Sequence, residues 1–399
     1  MAKKLTSVLG IDIGSRKIKV CEIRMQGKEP SLSALGIVDT PEGAVDHQGI
    51  YNPDAVSAAV KQAMQQAGVA KTPAVITIAG NSSVLVRTLE VPKMNPADLN
   101  EHMQWEISRN IPFAESTVVS DFKPLGGDDP ASQNMDVVMA MAPQSAIDTL
   151  VEVAKKAGVG IAAIDVEPLS LARSLQTSYG DEIDGRTICV VDLGAATSAI
   201  NIYYGSKLIM PRQVPVGGDM LTKAIADERV VPIVEAEAIK ANEFMIPEGA
   251  AQARATVVNP FDVPGVPTQE FQTYNPFADD PGAPADAPAD SAPVAMGSDD
   301  RLFNAVAPIL DDFISEIRRS VDYFQSRGGS VDKILLSGGA ARIRGLVEFV
   351  SESVGVPCDA YDPTRRLNVN SKKVAPGLLD EHRQELTIAI GNGLYIFFD

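Results

Sequence analysis

The alternation of apolar and polar residues near the start of the chain predicts a β-hairpin. An apolar run from Val8 leads to Asp12, a turn of small and basic residues follows, and an alternating run resumes through Ile18 and Val20. Gly14 opens the turn, and because it lacks a Cβ atom the backbone amides there can approach an anion closely. Asp12 stands just before the turn, where a carboxylate can hold Mg²⁺ through water. Taken alone, this pattern is most simply an ordinary hairpin.

The same pattern recurs near the middle of the chain. Residues 188–203 again give an apolar strand, an acid at Asp192, a small-residue turn at 194–197 and a second strand. A third segment, residues 333–346, is typical of a buried strand, a turn at Gly338–Gly339 and the start of a helix. Glycines between a strand and a helix start suit a phosphate or the face of a base. The order of these three segments predicts two related half-domains that face one cleft.

Periodicity elsewhere predicts alternating strands and helices. Asn52 as a cap, Pro53 at the first helical position and a 3.6-residue apolar repeat predict a helix that ends at Gly68. Residues 84–158 give a β-α-β-β-α block, which is either a small separate subdomain or an extension of the first domain. The predicted strands are 7–13, 18–24, 31–38, 74–79, 84–91, 117–125, 136–142 and 207–216. The predicted helices are 52–67, 95–107, 143–157, 220–227, 232–245, 301–326, 345–354 and 387–398.

Three of the helices raise local questions. Asp165 precedes a helix that starts near Pro168, and it either caps that helix or polarises a water molecule; capping is favoured. The helix 232–245 carries Glu237 and Lys240, which are three residues apart and form either part of a site or a solvated ion pair. Pro308 lies inside the long amphipathic pattern 301–326, which predicts a kink or a fresh helix start there.

Residues 248–299 are rich in proline, alanine and aspartate and have little aliphatic content. Such a segment cannot bury enough apolar surface to offset its chain entropy, so it is predicted to be a disordered insertion. It contains Asn-Pro-Phe twice, at Asn259–Phe261 and Asn275–Phe277. These are either docking motifs or, more commonly, turns.

Charge and hydropathy narrow the classes of function. The 399-residue chain has a formal net charge of −17, which argues against binding nucleic acid or adhering to anionic lipid. Its three cysteines show no metal or redox spacing, which is typical of a reducing cytosol. No signal peptide opens the sequence, and no apolar run approaches the roughly 20 residues of a spanning helix. We therefore expect no direct membrane insertion; a membrane role would require a partner.

The three segments, in this order, resemble the two phosphate loops and the adenosine loop of the actin-like ATPase superfamily. Within it, the chain is most similar to the PilM family of type IV pilus assembly proteins, relatives of the division protein FtsA. The resemblance implies an α/β actin-like ATPase fold, with two lobes around a nucleotide cleft and a small α+β subdomain inserted in the first lobe. The first lobe would comprise residues 1–83 and 164–185, with the helix 387–398 at the hinge. The subdomain would be 84–163, and the second lobe 186–399.

The resemblance also implies a site for ATP and Mg²⁺. Backbone amides of the two turns would grip phosphates, with Lys17, or alternatively Arg16, adding positive charge. Asp12 and Asp192 would hold Mg²⁺ through water, Glu237 and Lys240 would contact the ribose and base, and Arg342 would stack on the adenine. The candidate cofactor-binding residues are Asp12, Gly14, Ser15, Arg16, Lys17, Asp192, Gly194, Ala195, Ala196, Thr197, Gly217, Gly218, Glu237, Lys240, Gly338, Gly339, Ala340 and Arg342.

Hydrolysis is expected to be slow or absent. Strongly hydrolytic members of the superfamily carry more glycines and an acid at positions that are here Ala195, Ala196 and Ala199. Asp165 and Glu167 are the weak catalytic candidates.

The resemblance further implies a cytoplasmic scaffold at the inner membrane that docks the N-terminal tail of a PilN-like bitopic membrane protein. Other pilus assembly proteins and self-association are further expected contacts. The alternatives are an FtsA-like division protein and, ranked last, a kinase of the same fold.

Overall fold

The structure is a computed structural model. It describes residues 5–27, 29–70, 72–78, 84–113, 117–127, 131–255, 298–370 and 372–398. The two Asn-Pro-Phe motifs lie outside the described residues. Every structural statement below concerns these ranges.

The strands and helices alternate along the chain much as the periodicity predicts. The strands are β1 (Ser7–Ile13), β2 (Lys17–Gln26), β3 (Glu29–Asp39), β4 (Ala74–Thr77), β5 (Leu85–Pro92), β6 (Val118–Pro124), β7 (Asn134–Pro143), β8 (Ile161–Asp165), β9 (Thr187–Leu193), β10 (Ser198–Tyr204), β11 (Lys207–Val214), β12 (Lys333–Ser337), β13 (Cys358–Ala360) and β14 (Asn368–Val369). The helices are α1 (Pro53–Ala67), α2 (Pro96–Arg109), α3 (Gln144–Ala157), α4 (Glu167–Tyr179), α5 (Gly218–Arg229), α6 (Ile233–Asn242), α7 (Ala250–Ala255), α8 (Ser298–Ser326), α9 (Leu346–Val354), α10 (Pro376–His382) and α11 (Thr387–Gly393).

The first lobe is built on a six-stranded sheet in the order β14-β3-β2-β1-β4-β8. The opening hairpin is antiparallel, and its register pairs Ile13 with Ile18 and Asp12 with Lys19. Helix α1 begins as predicted, because the side chain of Asn52 accepts a hydrogen bond from the amide of Ala55. Its apolar face packs on this sheet. The predicted hairpin, three-strand meander and capped helix are therefore confirmed.

The second lobe is built on a five-stranded sheet in the order β11-β10-β9-β12-β13. Its core is covered by α5, α8 and α9, with Phe313 and Ile317 of α8 among the most buried side chains. Helix α8 continues through Pro308, so the predicted fresh start at that residue is wrong. The packed apolar stripe on both sides of the proline holds one helix together.

A three-stranded sheet in the order β5-β7-β6, with α2 on one face, forms the small subdomain. It also contacts the second lobe. The Thr88 hydroxyl donates to the carbonyl of Ile209 at 2.6 Å, and Lys207 Nζ lies 2.7 Å from Asp136 Oδ2. The subdomain is therefore tied to both lobes.

The sheets differ from the predicted domain division in two places. Helix α3 packs its apolar face, including Leu150 and Val153, into the core of the first lobe beside α1. Strand β8 lies entirely in the first sheet, so residues from 144 onward join the first lobe rather than the subdomain. Near the other end, β14 pairs with β3, so that part of the predicted second lobe also belongs to the first sheet.

Both ends of the segment 248–299, which the sequence predicts to be disordered, contain helix in the structure. Residues 250–255 form α7, and Ala250 is buried in the core of the second lobe. At the other end, α8 already begins at Ser298. The prediction is wrong for these residues, because the short helix finds a tertiary surface that composition does not reveal. Residues 256–297 lie outside the described part of the chain.

We predict that residues 256–297 can be replaced without loss of stability. Their composition offers few apolar groups to a core, and surface insertions cost little. A Gly/Ser linker of about 20 residues should leave the melting temperature within about 2 °C of the wild type. A matched deletion that also removes residues 249–255 should melt lower, since it takes away the buried Ala250. A large drop with the shorter replacement would contradict this prediction.

Two helices connect the lobes. Helix α11 packs against both α4 and β1, and Asn392 joins them: its Nδ2 donates to the carbonyl of Ile11 at 2.9 Å, and its Oδ1 accepts from the Ser170 hydroxyl at 2.6 Å. The packing of α11 against α4 is close, because a Cβ atom on Gly391 would overlap the carbonyl of Ser170. Among the described residues, no helix has the length and apolarity required to cross a bilayer.

Candidate functional site

A cleft of about 490 Å³ opens between the two lobes. The carboxyl-terminal ends of β1, β9 and β12 meet at its floor, because β9 and β12 run parallel and β1 opens the facing sheet. All the candidate cofactor-binding residues line this cleft except Gly217. The lining residues among them are Asp12, Gly14, Ser15, Arg16, Lys17, Asp192, Gly194, Ala195, Ala196, Thr197, Gly218, Glu237, Lys240, Gly338, Gly339, Ala340 and Arg342.

The two basic side chains of the first turn, Arg16 and Lys17, extend away from the floor of the cleft. The amide of Gly14 donates to the carbonyl of Lys17 at 3.1 Å and closes the turn. The ammonium of Lys17 lies 3.3 Å from the exposed carboxylate of Asp39, in the same lobe. Arg16 extends across the cleft instead. Lys17, the favoured source of positive charge in the sequence, is therefore engaged at the rim.

Lys19 is the lysine on the cleft floor, and the sequence analysis missed it. Its Nζ donates to Asp12 Oδ2 at 2.7 Å, and its side chain is only 13% exposed. Burial alone would lower the pKa of Lys19. The surrounding carboxylates, Asp12 first, outweigh that effect and raise the pKa above its ordinary value, so the ammonium stays charged. The signal was present, since a hairpin that closes at Ile13 and Ile18 must pair Asp12 with Lys19.

The second turn is supported from below by a pair of glycines. The amide of Gly218 donates to the carbonyl of Gly194 at 2.9 Å, and the amide of Asp219 donates to that of Ala195 at 2.8 Å. A Cβ atom on Gly217 would crowd the backbone of Ala195, so Gly217 supports the turn without lining the cleft.

Two carboxyl groups on the floor have raised pKa values. Burial raises the pKa of Asp192 to about 6, against the opposing effects of the Ser337 hydroxyl and the Lys19 ammonium. Burial, followed by the charges of Asp192 and Asp12, raises the pKa of Glu167 well above its ordinary value. Glu167 Oε1 is a buried polar atom without a hydrogen-bond partner among the described residues. These effects favour the neutral form of Glu167, and its unpartnered Oε1 faces a site where a polar ligand would satisfy it.

Asp165 does not have the favoured one of its predicted roles, the capping of helix α4. Helix α4 has Val166 at its N-cap, with no side-chain cap. Asp165 accepts from the Val166 amide at 2.7 Å and is ion-paired with Arg173. It does not line the cleft. Arg173, in the second turn of α4, forms an ion pair with the Asp165 carboxylate, and local capping rules do not predict this contact.

Glu237 and Lys240 form a polar cluster in which the lysine is buried and the glutamate side chain is 43% exposed. The ammonium of Lys240 donates to Glu237 Oε2 at 2.8 Å, to the Thr222 hydroxyl at 2.7 Å and to the carbonyl of Gly218 at 3.1 Å. The Lys240 residue is 6% exposed. Burial alone would raise the pKa of Glu237, but Lys240 and its other partners hold it below the ordinary value. The cluster fixes the far wall of the cleft.

The third turn follows β12 and forms a 3₁₀ turn at Gly339–Arg342, after which helix α9 begins at Leu346. Gly338 has φ of 93°, a backbone conformation that favours glycine. Arg342 Nη1 donates to Glu385 Oε1 at 3.2 Å, and His382 Nδ1 lies 3.1 Å from the same oxygen. Burial alone would raise the pKa of Glu385, but the hydrogen bond from His382 and the charge of Lys19 hold it low.

Glu385 and His382 both line the cleft and were not predicted. His382 is the last residue of the short α10 and Glu385 follows that helix, and no local sequence pattern marked either residue. The hydrogen bond to Glu385 holds the guanidinium of Arg342, which was predicted to stack on a base, beside the third turn.

The arrangement suits an anion with a bound cation better than a dedicated metal cage. Within the described ranges, no group of three or more His, Cys, Asp or Glu side chains is placed to hold a metal ion. Mg²⁺ keeps several waters and is usually held by one or two carboxylates together with phosphates. Asp12 and Asp192 on the floor fit that second arrangement.

Comparison with known proteins gives a consistent assignment. The family model of the type IV pilus assembly protein PilM matches residues 10–265 and 298–397. FtsA of Pseudomonas aeruginosa is 26% identical over 376 residues, covering 88% of this chain and 81% of the relative. FtsA of Enterococcus faecalis is 23% identical over 381 residues, covering 89% and 78%.

Among solved structures, the PilM–PilN type IV pilus biogenesis complex superposes with a TM-score of 0.77 at 24% identity, over 100% of both chains. This likeness confirms the actin-like α/β fold. The family model spans most of the chain. The chain therefore belongs to the PilM family of type IV pilus assembly proteins.

Proposed function

We propose that this chain binds ATP with Mg²⁺ in the interlobe cleft and acts as a scaffold of type IV pilus assembly. The observation that carries the proposal is the meeting of three turns, each delivered by a strand of the family-matched fold, around one cleft of about 490 Å³. A cavity of this size is in the range of small-ligand sites.

The residues of the cleft fit a nucleotide. Backbone amides of the two phosphate turns and the charged Lys19 would hold the phosphates, with Asp12 and Asp192 holding Mg²⁺ through water. Bound Mg²⁺ would neutralise phosphate charge. A Cβ atom on Gly218 would lie 3.0 Å from Ala340 Cβ and 3.3 Å from Lys240 Nζ, so glycine there keeps the far wall open.

We further propose that hydrolysis is slow. Glu167 is the catalytic candidate that lines the cleft, but burial and the charges of Asp192 and Asp12 raise its pKa and so favour the protonated carboxyl over the carboxylate. A protonated carboxyl cannot accept a proton from water, so it serves poorly as a general base. Bound nucleotide would then act mainly as a structural ligand that sets the relation of the two lobes.

The partner proposal rests on the family and on the complex of its relative. The solved PilM–PilN structure pairs that PilM with PilN. We propose that this chain likewise docks the short N-terminal tail of a PilN-like bitopic inner-membrane protein, beside the small subdomain. The protein would then lie in the cytoplasm, held at the inner membrane by its partner. With a net charge of −17, it would favour a tail that carries basic residues beside apolar anchors.

The test is co-sedimentation of the full chain with anionic liposomes, bare or displaying the N-terminal peptide of a PilN-like protein from the same cell. We expect binding only when the peptide is displayed, tightening modestly as salt falls, because opposite charges speed encounter while apolar anchors carry most of the affinity. A peptide of scrambled order is the control. Strong binding to bare liposomes would overturn the proposal and favour an FtsA-like membrane role.

A further inference from the structure

Arg16 and Asp219 form an ion pair across the entrance of the cleft. Arg16 Nε lies 2.7 Å from Asp219 Oδ1, and the two residues are 203 positions apart in the chain. Arg16 belongs to the turn between β1 and β2 in the first lobe. Asp219 belongs to the first turn of α5 in the second lobe, where the helix dipole favours an acid. The pair therefore spans the gap between lobes.

Both ends of the pair are fixed to the phosphate turns. The carbonyl of Arg16 accepts from the amide of Thr40 at 2.9 Å, and the Thr40 hydroxyl donates to the carbonyl of Gly14 at 2.7 Å. On the other side, the amide of Asp219 donates to the carbonyl of Ala195 at 2.8 Å. Moving the two turns apart, which is the movement that opens the cleft, therefore requires Arg16 to leave Asp219.

The local charges keep Arg16 directed across the gap. Its guanidinium is among the groups that hold the pKa of Glu237 low, so a second acid of the far lobe also attracts it. The neighbouring Lys17, by contrast, pairs with Asp39 of its own lobe. Two adjacent cations of one turn thus serve different purposes: one pair lies within a lobe, and the other links the lobes.

We propose that the Arg16–Asp219 pair is a latch that limits how fast nucleotide enters and leaves the cleft, with Asp219 as the positioning residue that holds Arg16 in place. This inference rests on the proposed function. The Arg16 side chain is 46% exposed and that of Asp219 is 35% exposed. Ion pairs at such exposure are worth up to about 1 kcal/mol, which corresponds to about a five-fold change in rate.

The test measures binding and release of a fluorescent ATP analogue by stopped flow in the full chain. Asp219→Asn should raise the association and dissociation rates together by about two- to five-fold, with a smaller change in Kd. Raising the salt concentration should accelerate exchange in the wild type and have little effect in the variant, because salt screens the pair. Asp219→Glu should retain slow exchange.

The matched control is Asp39→Asn. This variant removes the carboxylate that pairs with the adjacent lysine, Lys17. It changes the net charge by the same amount as Asp219→Asn and leaves the link between the lobes intact. Its rates should equal those of the wild type. Unchanged melting temperatures would exclude a general loss of fold in both variants.

The outcomes separate the two levels of inference. A wild type that binds the analogue while Asp219→Asn shows wild-type rates, or shows faster dissociation alone, would overturn the latch and leave the nucleotide proposal standing. A wild type that binds no nucleotide would overturn the proposed function itself, and the latch with it.

Discussion

A Gly339→Asp variant is expected to lose ATP binding by roughly 100-fold or more while keeping the wild-type melting temperature. A Cβ atom on Gly339 would lie 3.5 Å from Glu385 Cδ, an ordinary van der Waals contact, so the backbone accepts the substitution. The added carboxylate would stand beside the carboxylate of Glu385, at the turn where the adenosine end of the nucleotide is proposed to lie. Bulk and a second negative charge there would cost several kcal/mol of binding free energy.

Calorimetric titration with ATP and Mg²⁺ measures this effect. Gly339→Ala is the matched control: it adds the Cβ atom without the charge and should lose far less affinity. Gly338 would be a poor choice, since its φ of 93° and its closeness to the backbone of Leu193 make any side chain a folding defect. Wild-type ATP affinity in Gly339→Asp would show that the third turn does not face the nucleotide.

The sequence allowed the three turns to be found because each depends on a local signal. A buried strand that ends in an acid and a small-residue turn is readable from a dozen residues, and the order of the three turns then implies the lobes. Lys19 was missed although the same hairpin determines it, because only the turn residues were considered as ligands. Its place follows from the pairing of Asp12 with Lys19 across β1 and β2.

Other features depend on tertiary contacts that local patterns do not contain. Asp165 lost its predicted capping role to Arg173. Helix α3 was assigned to the subdomain, yet its apolar face packs on the first lobe. Glu385 reaches the cleft from a segment that follows the second sheet in sequence but packs with the first lobe. In each case the position of the side chain depends on residues that are its neighbours in space. No spacing in the sequence identifies those neighbours.

The prediction for the residues of helix α7 was wrong for a different reason. The segment 248–299 was judged by its average composition, which is that of a disordered chain. Its first residues form α7 and contribute the buried Ala250 to the second-lobe core. Composition averaged over a whole segment does not reveal a short helix at one end of it. The boundaries of such insertions therefore have to be tested by truncation.

The second large effect is expected at the hinge, where Gly10→Ala should destabilise the protein by about 3 kcal/mol or more. Gly10 lies in β1 directly beneath α11. A Cβ atom there would overlap the carbonyl oxygen of Ala389 and lie 2.5 Å from the amide nitrogen of Gly393. These are backbone atoms of a helix that is held on its other side by α4, so they cannot move aside as a flexible side chain would.

A thermal melt followed by circular dichroism should show a drop of about 4 °C or more for Gly10→Ala. Gly160→Ala is the matched control, because a Cβ atom on Gly160 meets no other atom within 4 Å; its melting temperature should be close to that of the wild type. Equal melting of the two variants would mean that α11 is free to shift away from β1. That result would contradict the close contact of β1 and α11, and a hinge that tolerates such a shift could not transmit closure of the cleft from one lobe to the other.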